Sequence, residues 1–240
     1  MNLRYIIIRL DETIGDRQYR SWFSFHTRFI CNYLSKEIRK FRFVTDGTFK
    51  MISINVGGKH SPRIGVNQVL DVSVPFNQNE YESIKGTNCS KYYIELFKLG
   101  FHEACTFKTI PISELLLLLD EFEKNHYLNT WTHIKKSLKQ INLKLHLKAS
   151  FTTNRFSLFA EFYDIKTSRL ICQGELIRTL PDEIYFSRTI KDVIVRGEHI
   201  IFIDYNGNDL IEMEIKDILM GHFLFAYSAC PDYYNQEDIK

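Results

Sequence analysis

The sequence predicts an α+β protein. A long N-terminal amphipathic helix and a mid-chain helical layer are expected to pack on antiparallel sheet, followed by a C-terminal antiparallel β-meander. Three observations support this: a helical stripe near the N-terminus, helical periods in mid-chain, and consecutive strand patterns after them. Strands that follow one another without intervening helices favour antiparallel pairing over a doubly wound parallel sheet.

The composition of the 240-residue chain is that of an ordinary folded protein, since 45% of its residues are hydrophobic and 25% are charged. Disorder, collagen and coiled coil are therefore excluded. The net charge is only +2, so no overall basic excess indicates nucleic acid or an anionic membrane as the partner. The longest aliphatic run, residues 115–119, is too short to cross a bilayer, and we expect no membrane partner.

The first elements follow from local patterns. Residues 3–10 are rich in strand-forming side chains and predict a strand. From Arg17 onward a helix is predicted, because apolar side chains recur at three- and four-residue spacing at Trp22, Phe25, Phe29, Ile30, Tyr33, Leu34 and Ile38. Residues 41–45 and 49–56 flank an Asp-Gly pair and predict a hairpin. Residues 66–74 predict a further strand, which Pro75 ends.

The middle of the chain predicts one helix that ends near residue 104 and another over residues 112–122. Strands are then predicted over residues 141–147, 156–164, 169–180, 190–195, 199–205 and 210–215. The change of period near residues 125–131 divides the chain into an N-terminal part, residues 1–128, and a C-terminal part, residues 129–240. The two parts are predicted either as domains or as one continuous domain.

The cysteines indicate the compartment. Five are present, widely spaced, odd in number and without a paired short spacing: Cys31, Cys89, Cys105, Cys172 and Cys230. The apolar stretch between Arg4 and Arg9 is too short for a secretory signal. We therefore expect a cytoplasmic protein with reduced thiols, and no metal or other cofactor.

The densest polar and aromatic cluster predicts the candidate binding residues, which are His126, Tyr127, Asn129, Trp131 and His133. Connecting segments of this kind often carry recognition residues. The same pattern is also typical of a loop whose Asn and His side chains bond to its own backbone. Trp131 could equally anchor a core.

No sequence motif indicates catalysis, because neither a Gly-x-Ser-x-Gly elbow nor a family-type cysteine context is present. The segment 57–61 resembles part of a phosphate cradle but lacks the Walker spacing, so it is predicted to be a hairpin loop. We therefore lean towards a protein that is not an enzyme.

The aromatic content points to protein binding. The chain has 13 Tyr and 19 Phe, enough to fill a core and leave rings outside, and Tyr is favoured at protein interfaces. The first hypothesis is a non-enzymatic protein-binding module, most concretely an immunity or inhibitor protein that neutralises a partner protein by surface complementarity. Nuclease inhibitors tend to be acidic, so a chain of this charge would suit a different target.

Two alternatives stay open. One is a small hydrolase or nucleic-acid-processing enzyme whose site assembles around His102, His126 and His133 with acidic neighbours. The other is a nucleic-acid-binding protein that uses the basic helix 17–42, since residues 15–42 contain seven basic and two acidic side chains, together with the lysine-rich stretch 135–148. The aromatic side chains of that helix lie on the stripe expected to face the core, which weighs against this second alternative.

Overall fold

The computed structural model describes residues 1–87, 89–186 and 189–228. Within these residues the chain forms two units, of which the first comprises Met1–Asn129 and the second begins at Thr130. The α+β class, the long N-terminal helix and the C-terminal antiparallel meander are confirmed.

The first unit contains a mixed four-stranded sheet and four helices. In chain order its elements are β1 (Tyr5–Leu10), α1 (Arg17–Phe41), β2 (Met51–Val56), β3 (Arg63–Gly65), β4 (Val69–Val74), α2 (Gln78–Ile84), α3 (Ser90–Phe107) and α4 (Ile112–Lys124). The strand order is β1-β2-β4-β3. β2 pairs in parallel with both β1 and β4, while β3 is antiparallel to β4. α1 supplies the crossover that the parallel neighbours β1 and β2 require.

The predicted hairpin of residues 41–45 and 49–56 is wrong. Phe41 is the last residue of α1, and Val44 makes only an isolated bridge to Asn2. The Asp-Gly signal has a local explanation, because the Asp46 carboxylate accepts hydrogen bonds from the amide and hydroxyl of Thr48. That turn leads into β2, which pairs with strands distant in sequence.

Helix α1 begins where the Asp16 side chain accepts a hydrogen bond from the Tyr19 amide at 2.8 Å. Its most buried side chains include Phe23, Ile30, Leu34 and Ile38, whereas the predicted stripe members Trp22 and Phe25 are half-buried. α1 packs on β1, where the Ser35 hydroxyl accepts a hydrogen bond from the Ile6 amide at 3.0 Å. This bond occupies a backbone donor of the edge strand.

Helices α3 and α4 complete the helical layer. α3 packs on β2 and β4, and Gly100 gives it close approach to the side chain of Ile54. α4 packs on α1 and α3, and its Phe122 ring stacks on Tyr33 at 4.2 Å between centroids. No helix in the described parts of the chain combines the length and apolarity that crossing a bilayer requires.

The second unit contains two four-stranded sheets. Its elements are β5 (Asn129–Leu138, which starts at the boundary), β6 (Leu143–Phe151), β7 (Phe156–Asp164), β8 (Leu170–Thr179), α5 (Glu183–Phe186), β9 (Asp192–Arg196), β10 (His199–Ile203), β11 (Asp209–Glu214), α6 (Ile215–Leu219) and β12 (Ala226–Tyr227). The sheet orders are β5-β6-β7-β8 and β12-β11-β10-β9, so the meander is distributed over two sheets.

Two of the longer elements, α2 and β5, lie where no helix or strand was predicted, and so do the short elements β3, α5 and β12 and all but the first residue of α6. β5 shows no apolar alternation, because between its first and last residues every side chain is exposed or half-buried. By contrast, β6 shows the predicted alternation: Leu143, Leu145 and Leu147 are buried, while Lys144 and Lys148 are not.

Candidate functional site

The first sheet presents two chemically different faces. The helix face consists of aliphatic side chains: Ile6, Ile8, Leu10, Ile52, Ile54, Val56, Leu70, Val72 and Val74. The alternate residues form the other face, in three rows across the strands: Tyr5, Met51 and Val69, then Ile7, Ser53, Asp71 and Arg63, then Arg9, Asn55 and Ser73. We call this second set the open face, because Tyr5 and Ile7 are 41% and 36% exposed.

A polar centre lies on the open face and consists of Arg9, Asn55, His60, Arg63 and Asp71. The Asp71 carboxylate is buried, and three cationic or potentially cationic groups surround it. The His60 Nε2 atom lies 3.2 Å from Asp71 Oδ2, the Arg63 Nη2 atom lies 3.4 Å from Oδ2, and the Arg9 Nη2 atom lies 3.8 Å from Oδ1.

His60 is held by hydrogen-bond acceptors on both sides. Its Nδ1 atom lies 3.0 Å from the Ser61 carbonyl oxygen, and its Nε2 atom faces the Asp71 carboxylate. A carbonyl and a carboxylate only accept, so a protonated ring donates to both. Both ring nitrogens are thus engaged inside the protein, whereas a general base needs a nitrogen within reach of its substrate.

Three buried oxygen atoms near Asp71 have no hydrogen-bond partner among the described residues: Asn55 Oδ1, Asp71 Oδ1 and Ser73 Oγ. The Asn55 amide donates to Asp11 Oδ2 at 2.7 Å. Hydrogen bonds from Thr13 and then from Asn55 lower the pKa of Asp11, which keeps it an ionised acceptor. Unsatisfied buried atoms cost about 1–3 kcal/mol each, so this concentration is unfavourable for the fold alone.

The segment 57–62 lies directly against these atoms. A Cβ atom on Gly58 would lie 2.6 Å from Ser73 Oγ and 2.7 Å from Asn55 Nδ2, so the close approach of this backbone requires glycine. The predicted hairpin loop is wrong, because β2 and β3, which the segment joins, are not neighbours in the sheet. The segment instead brings His60 to Asp71.

A surface depression of about 520 Å³ opens beside the polar centre, and its lining includes Arg9, Ser53, Arg63, Val66 and Asp71. The side chains of Arg9 and Arg63 are 43% and 60% exposed. Val66 is also exposed, so charged and apolar groups meet here at the surface. The depression can therefore accept an anionic group that arrives from an apolar surface.

Three of the five candidate binding residues predicted from the sequence lie in the first unit. His126 and Tyr127 form the turn after α4, both at positive φ; His126 is exposed, and the Tyr127 hydroxyl donates to Glu123 at 3.3 Å. Asn129 is buried, and its amide donates to the Phe29 carbonyl oxygen at 2.7 Å. Asn129 is therefore held against α1 within the first unit.

The other two candidates belong to the second unit. The Trp131 ring is half-buried and contacts Phe156 at 5.9 Å between centroids. The His133 Nε2 atom lies 2.8 Å from the Ile190 carbonyl oxygen. These contacts are typical of residues that pack the unit, and a binding role for the five residues stays a prediction.

The histidines of the predicted hydrolase site lie in unlike environments. His102 is exposed on α3, and His126 is exposed at the turn after α4. Within the described chain neither is paired with a carboxylate. In the same residues no group of three or more His, Cys, Asp or Glu side chains is arranged to hold a metal ion.

The basic side chains of α1 are largely engaged by the protein itself. Arg20 donates to backbone carbonyl oxygens including that of Gly15 at 2.6 Å, and Arg39 donates to the Ser35 carbonyl oxygen at 2.7 Å. Lys36 donates to Asn129, and Lys40 pairs with Glu37. These contacts reduce the charge that helix 17–42 offers to a nucleic acid.

Sequence reasoning missed the polar centre. The signal was present in β2 and β4, where Ser53, Asn55, Asp71 and Ser73 occupy alternate positions among aliphatic residues. Polar side chains repeated along central strands indicate a face that is not packed against an apolar layer.

The chain matches no protein-family model, no curated protein and no solved structure.

Proposed function

We propose that this protein is a non-enzymatic protein-binding module and that the open face is its binding surface. The composition of that face carries the proposal. Protein interfaces are enriched in aromatic side chains, Met and Arg and depleted in Lys, Glu, Asp, Ser and Ala. The three rows of the open face contain Tyr5, Met51, Arg9 and Arg63 and neither Lys nor Glu. The depleted types in these rows are buried or half-buried: Ser53, Asp71 and Ser73.

The chemistry of the polar centre supports binding over catalysis. His60 is the one histidine there, and both of its ring nitrogens are held by acceptors of the protein. A buried carboxylate that faces two arginines and a histidine gives a charged patch whose groups interact with one another rather than with a reacting substrate. This arrangement suits recognition by fit and charge.

The concrete form that we propose is an immunity or inhibitor protein that neutralises a partner protein by surface complementarity in the cytoplasm. The cysteines support the compartment, since Cys89, Cys105 and Cys172 are free thiols. Cys230 lies outside the described residues.

The test places a charge on the apolar part of the open face. The wild-type protein and its Ile7→Asp and Tyr5→Asp variants are each expressed as the tagged full chain in the cells that encode the protein. Each chain is cross-linked to its partners in the cell and purified, and the bound proteins are identified by mass spectrometry. Leu117→Asp is the matched control, because Leu117 is an exposed apolar residue on α4 of the same unit. Thermal unfolding of each variant verifies that it is folded.

We expect one partner protein to be recovered with the wild type and Leu117→Asp and to be lost with both open-face variants. Equal recovery with all four chains would place binding elsewhere and contradict the proposal. Turnover of a small molecule by the pure protein would contradict its non-enzymatic part.

A further inference from the structure

We infer that the open face recognises its partner through a carboxylate, which binds between the guanidinium groups of Arg9 and Arg63. This inference rests on the proposed function and names the chemistry of the partner at that site. Its basis is a juxtaposition: two arginines from β1 and β3 flank one buried carboxylate, Asp71, and line the same surface depression.

The contacts of the two arginines with Asp71 leave most of their donors available. The Nη2 atoms of Arg9 and Arg63 lie 3.8 Å and 3.4 Å from the nearest Asp71 oxygen. Charge-assisted hydrogen bonds are normally about 2.7–2.9 Å long, so both contacts are weak. Each guanidinium carries five N–H donors, and both side chains are substantially exposed.

The internal carboxylate also fixes where an external one would bind. Asp71 is buried at the floor of the polar centre, and it attracts both guanidinium groups from below. An incoming anion therefore meets them from the solvent side, where a carboxylate can accept two parallel N–H bonds from one arginine.

The balance of charge favours a single carboxylate. Arg9 and Arg63 carry two positive charges and Asp71 and Asp11 carry two negative ones, and the His60 ring adds a positive charge only when it is protonated, so the excess is at most about one positive charge. A phosphate dianion or a nucleic-acid strand would need a larger basic excess. The neighbouring side chains of Ile7, Val66 and Val69 are apolar, which fits an acidic residue set in an apolar protein surface.

The experiment uses the full chain and three probes: a capped five-residue peptide with two glutamates separated by a leucine, its glutamine counterpart, and inorganic phosphate. Binding is followed by NMR through the backbone amide and arginine Nε–Hε signals. We expect the glutamate peptide to bind about tenfold more tightly than the glutamine peptide, as charge-assisted hydrogen bonds predict. The Arg9 and Arg63 signals should shift most.

The arginine variants supply the controls. Arg9→Gln and Arg63→Gln should abolish the preference for the glutamate peptide. Arg196→Gln should keep it, because Arg196 is an equally exposed arginine that pairs with Asp209 in the second unit. Equal affinity for both peptides, no binding, tighter binding of phosphate, or a preference unaffected by the two open-face variants would each overturn the inference.

Partner capture separates this inference from the proposed function. If Ile7→Asp abolishes capture and the Arg9→Gln/Arg63→Gln double variant does not, the open face binds a partner but not through a carboxylate. If both variants still capture the partner, the proposed function fails as well. Loss of capture with both variants, at low and at moderate salt, supports the proposed function and the carboxylate inference together.

Discussion

The two faces of the first sheet are built from the same three parallel strands, yet they differ in almost every physical property. On the helix face every side chain is aliphatic and nearly inaccessible. On the open face the neighbours of those residues include an arginine, an aspartate and an asparagine, and the antiparallel strand β3 adds Arg63. The comparison teaches that the side chains that stabilise the fold and those that we propose to bind a partner alternate along one strand, because successive side chains point to opposite faces.

The largest expected difference is between two adjacent residues of β2. Ile54→Ala on the helix face should lower the free energy of unfolding by about 2–5 kcal/mol, because it removes buried methyl groups and leaves a cavity under α3. Ser53→Ala on the open face should change it by less than about 1 kcal/mol. Urea unfolding measures both, and similar losses for the two variants would show that the faces do not differ as described.

The second test measures how the buried histidine His26 makes the stability of the fold depend on pH. His26 on α1 is 4% exposed and its ring nitrogens have no partner in the described residues, so burial lowers its pKa to about 4. Below pH 6.5 the unfolded chain takes up a proton at His26 that the folded chain does not. Stability should therefore fall as the pH drops from about 6.5 to 4, by about 3 kcal/mol in total.

His26→Leu provides the control for this pH dependence. The difference in unfolding free energy between the wild type and His26→Leu should change steeply over that interval, and carboxylates common to both chains cancel in it. A difference that stays constant with pH would mean that His26 is protonated in the folded protein or accessible to water.

A third test replaces one glycine next to each face of the sheet by alanine: Gly100 of α3 beside the helix face, and Gly58 beside the open face. Gly100→Ala should cost about 1–3 kcal/mol, because the new Cβ overlaps the Ile54 side chain within the packed layer. Combining it with Ile54→Val, which removes one overlapping atom, should recover part of the loss. Gly58→Ala should cost about 1 kcal/mol, because its Cβ would overlap only the ends of two side chains, Ser73 Oγ and Asn55 Nδ2, which can shift away from it. A cost for Gly58→Ala above that of Gly100→Ala would reverse the order.

The smallest effect is expected for Arg63→Gln. Its contact with Asp71 is long and its side chain is 60% exposed, so the free energy of unfolding should change by less than about 0.5 kcal/mol. Thermal unfolding at low and moderate salt measures this. A large loss would mean that Arg63 serves the fold and is not available for a partner.

The sequence predicted those elements whose signal is local. The 3.6-residue period of α1 and the alternation of β6 can be read directly from neighbouring residues. The partner of β2 could not be predicted, because the turn at Asp46 resembles a hairpin turn whichever strand pairs with β2. The polar centre was missed for a related reason: Arg9 and Asp71 are far apart in the chain and meet only through the parallel pairing of β1, β2 and β4. His60 reaches Asp71 only through the path of the segment 57–62.

Asn129 illustrates the opposite error. An asparagine in a polar, aromatic segment is typical of recognition loops, and the sequence does not distinguish one that faces solvent from one that bonds to a neighbouring helix. Its burial depends on the position of α1, which is a property of the tertiary structure.

The strand order also affects the sequence of events during folding. Tyr5 pairs with Met51, so the whole of α1 lies within the loop that must close before β1 and β2 meet, whereas Phe151 and Phe156 are joined by a short turn. Loop closure of this kind is slow, and local hairpins form in microseconds. We expect the β6–β7 hairpin to become protected from hydrogen exchange before the parallel strands, so that the surface proposed for recognition is assembled late.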